Sequence, residues 1–192
     1  VTYSEGCNDD VNKFVWSGLG WNPDTNVTEL LRDYSRFFFG VDHEEGFAQA
    51  LLALERNWLG PLATNGGVET TLQQLQALER SATPQLKLNW RFQQLLYRAH
   101  YDAFVRARLA IESAQQSLAL RALANASRTG SEKAMAEAEA ILFADELTPE
   151  ARALRARVFE LAEALYQSIH MQLSVSRYAA IALGRGANLD AI

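Results

Sequence analysis

The sequence predicts an all-α fold, a multi-helix bundle with two long antiparallel helices and shorter helices covering one end. Three observations carry that expectation. Apolar residues recur every three to four positions from Asn8 onward, N-cap residues stand ahead of most of those runs, and Gln85 to Ala126 contains neither Gly nor Pro. No strand pattern follows residue 6, and no fixed-period repeat is present.

The helices follow in order. Asn8, Asp9 and Asp10 cap a first helix carrying Val11, Phe14, Val15 and Leu19, with Gly18 and Gly20 weakening and ending it. Trp21 to Thr25 reads as a turn because it holds Pro23 beside Asn22 and Asp24. Asn26 then caps a second helix, Glu29 completes a capping-box pattern, and Gly40 stops it. Its expected buried face is Leu30, Leu31, Tyr34, Phe37 and Phe38.

Asp42 with Glu45 repeats the start signal, and Phe47, Leu51, Leu54 and Trp58 keep helical spacing up to Gly60-Pro61. Past a loop, Val68, Leu72, Leu75 and Leu78 mark a fourth helix ending near Thr83-Pro84. The fifth is the longest, from Gln85 or Leu88 to Ala126; about forty residues would reach about 60 Å. It carries two apolar stripes, Phe92-Leu96-Ala99-Ala103 and Trp90-Tyr97-Tyr101-Phe104, so it should be buried on more than one side. A polar turn at Ser127 to Ser131 precedes an alanine-rich helix over Ala134 to Phe143. Thr148 and Pro149 then open a last long helix expected to reach about Leu183.

Composition narrows the function classes. With 48% hydrophobic residues the chain can bury a core. A net charge of −5 with no basic stretch leaves nothing to displace counterions from phosphate, so nucleic acid is not an expected partner. No apolar run approaches the roughly 18 residues of a membrane span, so neither is a membrane. The only cysteine, Cys7, cannot form an internal disulfide.

Known catalytic patterns do not complete. The residues three positions before His43, His100 and His170 are Gly40, Tyr97 and Gln167, so the Glu-x-x-His pairs of a dinuclear bundle site are lacking and no metal is expected. Gly184-Arg185-Gly186 has neither a preceding strand nor the Lys-Ser/Thr ending of a phosphate loop, and no other cofactor is implied. No serine stands in a Gly-x-Ser-x-Gly elbow.

Residues Tyr3 to Lys13 are the informative stretch. Val1 to Gly6 reads as the end of a strand, and Glu5, Asp9 and Asp10 crowd the passage from strand to helix, where an α/β barrel places groups that meet a ligand. Helix capping is the competing account of Asp9 and Asp10. Trp16, Trp21, Trp90, Tyr97 and Tyr101 could offer flat faces to sugar rings, although aromatics at helical spacing commonly form core.

Tyr3-Ser4-Glu5-Gly6 with Asn8 to Lys13, then Trp21-Asn22-Pro23-Asp24 and Tyr34 to Gly40, resembles the region just past the last barrel strand of large bacterial glycoside hydrolases of α-glucuronidase-like and N-acetylglucosaminidase-like kinds. Asn89 to Gln93 and Tyr97 to Arg108 resemble the helical C-terminal regions of the same enzymes. The resemblance is strongest from Val1 to Gly40. It implies that residues 1–7 end a strand or linker from an upstream catalytic barrel of the same chain, and that 8–192 form one non-catalytic helical domain. The acid and base carboxylates would then lie in that barrel, with carbohydrate as the partner and the periplasm or exterior as the location. Tyr3, Glu5, Asp9, Asp10 and Trp21 become the candidate substrate-binding residues, Glu5 at most on the rim. The competing expectation from the long helices is an autonomous protein–protein interaction module; a helical sensor domain is a third.

Overall fold

A computed structural model describes residues 9–145, 147–181 and 188–192. The fold is all-α, and no strand occurs among the described residues. Helix α1 covers Asp9–Trp21, α2 Val27–Phe39, α3 Glu44–Arg56, α4 Gly67–Ser81, α5 Pro84–Lys87, α6 Trp90–Ala124, α7 Ala126–Thr129, α8 Ser131–Leu142, α9 Pro149–Ile169 and α10 Val175–Tyr178.

Caps hold where the sequence places them on local grounds. Asn26 Oδ1 accepts from the backbone N–H of Thr28 at 2.8 Å and of Glu29 at 3.4 Å, opening α2. Thr148 accepts from Ala151 N–H at 3.1 Å, with Pro149 as the first residue of α9. The second helix does not carry a full capping box, because Glu29 turns outward to Arg32. Asp42 caps nothing either. It lies in the 3-10 turn Val41–His43, and the α2–α3 corner is tied instead by Arg36 to Glu44 and Arg32 to Glu45, both at 2.6 Å.

Four expectations are corrected. Gly18 and Gly20 lie inside α1 rather than ending it, and a Cβ on Gly18 would stand 2.7 Å from both terminal methyls of Leu30. Gly18 therefore lets α1 lie close on α2. The long helix starts at Trp90 because Asn89 caps it, accepting from Arg91 N–H at 3.0 Å while donating to the Phe38 carbonyl at 2.8 Å. The last long helix ends at Ile169, where His170 takes the left-handed conformation (φ 55°), so it does not continue to Leu183. Phe37 is 80% exposed instead of buried, while Leu31, Tyr34 and Phe39 face inward.

The core gathers Tyr34 and Phe39 from α2, Phe47 and Leu54 from α3, Val68 and Leu75 from α4, and Val158 and Leu165 from α9 around the first half of α6. There Phe92 to Tyr97 are buried at consecutive positions, as expected of a helix enclosed on more than one side. The second half of α6 packs on α8 through a small alanine seam of Ala119, Ala122 and Ala138. Gln94 near the start of α6 meets Met171 just past α9, whereas Phe104 and Arg108 share a cavity with Arg152 and Arg155 near the start of α9. Residue numbers therefore rise along α6 as they fall along α9. No helix among the described residues is long and apolar enough to cross a membrane.

Candidate functional site

Of the five candidate residues, Tyr3 and Glu5 lie outside the described residues, as does the side chain of Asp9, whose backbone begins α1. Asp10 does not point to open solvent. Its Oδ2 accepts from the Tyr34 hydroxyl at 2.9 Å and from Arg91 Nε at 2.6 Å, joining α1 to α2 and α6. The Arg91 guanidinium also stacks on Phe38 at 3.7 Å and on Trp90 at 4.0 Å. Burial, and then the Asp10 charge, push the Tyr34 phenol well above its ordinary value, so it stays a proton donor to that carboxylate.

Trp21 ends α1 and is 93% exposed. It stands eleven positions after Asp10, roughly 16 Å along a helix, so these two do not converge on one small ligand. Trp90, Tyr97 and Tyr101 all pack into or against the core.

A second polar group lies under the end of α3. Arg98 and Asp102 form an ion pair at 2.6 Å with side chains only 11% and 7% exposed. Asn57 Nδ2 donates to the other Asp102 oxygen at 3.0 Å, and Thr71 Oγ1 sits 3.0 Å from Asn57 Oδ1. Among the described residues Arg98 Nε is buried without a hydrogen-bond partner. Its guanidinium lies 4.1 Å from the ring centre of Trp58, which is 67% exposed. Trp58 was expected on the core face of its helix. Because α3 stops at Arg56, the indole swings outward.

Trp58 and Trp16, the latter 44% exposed, both line a groove of about 440 Å³ between α1, α2 and α3. Leu31 and Leu54 form part of its floor, with Asn12 and Glu55 as its polar groups. The sequence signal for this groove is slight. Trp16 stands among the aromatic candidates, while Trp58 is disguised by helical spacing.

His100 is the one buried histidine among the described residues. Its Nδ1 lies 2.8 Å from the Leu96 carbonyl, which assigns a proton to that nitrogen. Burial, the largest influence, holds its pKa below the ordinary 6.5. A depressed folded value gives stability that is present above 6.5 and lost as pH falls below it. In urea unfolding, His100→Leu is expected to lose less stability than the wild type between about pH 7 and about pH 5. Equal losses in the two proteins would contradict the assignment. Among the described residues no group of three His, Cys, Asp or Glu converges as metal ligands would.

Fold and site define an all-α bundle with a clamped acidic helix start and an aromatic groove beside it. Comparison with protein-family models, with curated proteins and with solved structures gives no match to this chain.

Proposed function

We propose that this chain is the non-catalytic C-terminal helical domain of a carbohydrate-active enzyme, a glycoside hydrolase. In that role it braces an upstream catalytic barrel of the same polypeptide and lines one side of the sugar site. The Asp10 clamp carries the reading. The segment that resembles the exit of a barrel runs directly into α1, and Tyr34 and Arg91 tie the start of α1 to two further helices. A unit entering through α1 would be held at a fixed angle to the bundle. The Asp10 carboxylate is engaged in that clamp, which suits a brace better than a proton-transfer group; glycoside hydrolysis needs two carboxyl groups facing each other across the sugar bond, roughly 5 to 9.5 Å apart.

The test is enzymatic. The full reading frame containing Val1, expressed and assayed against a panel of aryl glycosides, is expected to cleave at least one, while the 192-residue chain cleaves none. A full-length protein inert toward the whole panel would overturn the proposal.

A further inference from the structure

An exposed tryptophan is ordinarily a loosely held surface group, and Trp58 is not. Its backbone N–H donates to the Glu55 carbonyl, and the next backbone N–H, of Leu59, donates to the Arg56 carbonyl, both at 3.1 Å. Asn65 Nδ2 reaches the carbonyls of Arg56 at 3.1 Å and Asn57 at 3.2 Å. Below the indole, Arg98 supports the ring and is itself fixed by Asp102, which Asn57 holds in turn. A buried ion pair with an unsatisfied nitrogen is a poor way to gain stability, since desolvation offsets the attraction. What this one achieves is a fixed aromatic ring at the edge of the groove.

A ring immobilised in advance loses little freedom when a ligand settles on it. The groove adds Trp16 as a second aromatic group and an apolar floor for C–H surfaces. The Asn12 amide can donate and accept, and the Glu55 carboxylate accepts, which suits hydroxyl groups around the edge of a flat ligand. Among the described residues neither Lys nor Arg lines the groove, so these residues offer no positive charge to an anionic ligand. Its volume, about 440 Å³, falls in the ordinary range of small-molecule sites.

We infer that the groove between α1, α2 and α3 is a binding subsite for a pyranose unit of a neutral oligosaccharide, with Trp58 as its stacking platform. The inference rests on the carbohydrate reading above and assigns that function to residues other than Asp10 and Trp21. An apolar peptide side chain is the competing occupant, and it would make no use of Asn12 and Glu55.

The test titrates the 192-residue chain with cello-, xylo-, manno- and chito-hexaose, reading tryptophan fluorescence and calorimetric heat. At least one oligosaccharide is expected to bind. Trp58→Ala should weaken it about tenfold or more, and Trp58→Phe should restore much of the affinity. Matching thermal melts of the Trp58→Phe and wild-type chains separate lost stacking from lost fold. No binding at up to about 10 mM of any of the four sugars overturns the inference. So does binding indifferent to Trp58→Ala, or a groove that takes only an apolar peptide. A full-length enzyme that cleaves aryl glycosides without such binding sinks the subsite alone; groove binding in an inert full-length protein sinks the glycosidase reading alone.

Discussion

Replacing Asp102 with Ala is expected to lower the unfolding free energy by about 3–5 kcal/mol near pH 7, because it leaves the Arg98 charge buried without its partner. Asn57 Nδ2 loses its acceptor in the same step, and its contact with Thr71 becomes the end of a broken chain. The double substitution Arg98→Met with Asp102→Leu removes both charges and should recover most of the loss, since apolar replacements of a buried pair are commonly neutral or better. Urea midpoints of the three variants and the wild type measure both effects. A single variant that unfolds with the wild type would show that the pair is more hydrated than its burial indicates.

The pH dependence from this group has its own sign. Burial, the largest influence, raises the Asp102 carboxyl above its ordinary 3.8, against the opposing pull of Arg98 and the Asn57 hydrogen bond. A raised folded value gives stability that is fully present below 3.8 and lost as pH climbs through the folded value. His100 acts oppositely, losing stability as pH falls. In Asp102→Ala the first contribution vanishes, so the acid side of the profile should then follow His100 and the remaining carboxylates. A raised carboxyl and a costly deletion are compatible: ionising Asp102 in the interior is unfavourable compared with water, yet leaving Arg98 alone there is worse.

What the sequence made legible is local. Asn26 and Thr148 act on backbone groups two or three residues away, so the pattern that predicts them contains their partners. Helical spacing likewise marked Leu31, Leu54 and Leu75, all of which are buried. Phe37, Phe38 and Phe39 defeat the same reasoning: three adjacent rings span more of a helix than one neighbour can cover, and only the tertiary partners decide which face outward. The end of α9 was hidden for a related reason. No Gly or Pro stands at His170 or Ala179, yet both take left-handed conformations that cost non-glycine residues about 1 kcal/mol or more.

Contacts made after the end of α9 hold that turn. Asp190 accepts from Ser174 Oγ at 2.7 Å and from Val175 N–H at 2.5 Å, while Leu189 N–H donates to the Leu173 carbonyl at 2.8 Å. The candidate site was least legible of all. Asp10 meets Tyr34 and Arg91, and Asp102 meets Asn57, across sequence separations of 24, 81 and 45 residues. Such pairings appear only once the helices are packed, so Asp10 read as a cap or a ligand group and Trp58 as core.

Phe47→Ala is the second large effect, expected to cost about 3–5 kcal/mol through lost burial and the cavity left behind. Phe47 is fully buried, stacked on Phe39 with centroids 3.9 Å apart and edge-on to Phe92 at 4.8 Å. One ring thus joins the end of α2, the first turn of α3 and the start of α6, and few neighbours can move to fill its place. Phe47→Leu keeps most of the volume and should cost about 1.5 kcal/mol or less. A cycle with Phe39→Leu should return a coupling of about 0.5–1.5 kcal/mol, because the stacked geometry contributes beyond the buried area. A loss below about 1 kcal/mol for Phe47→Ala would mean that the three helices repack around the gap. The same variant also probes the groove, since α3 carries Phe47 in its first turn and leads into Trp58 just past its end. If that helix is positioned chiefly by the Phe47 cluster, oligosaccharide affinity falls together with stability in Phe47→Ala. If the Asn57–Asp102–Arg98 chain and Asn65 position Trp58 on their own, affinity survives below the melting transition, and the platform is shown to be built separately from the core.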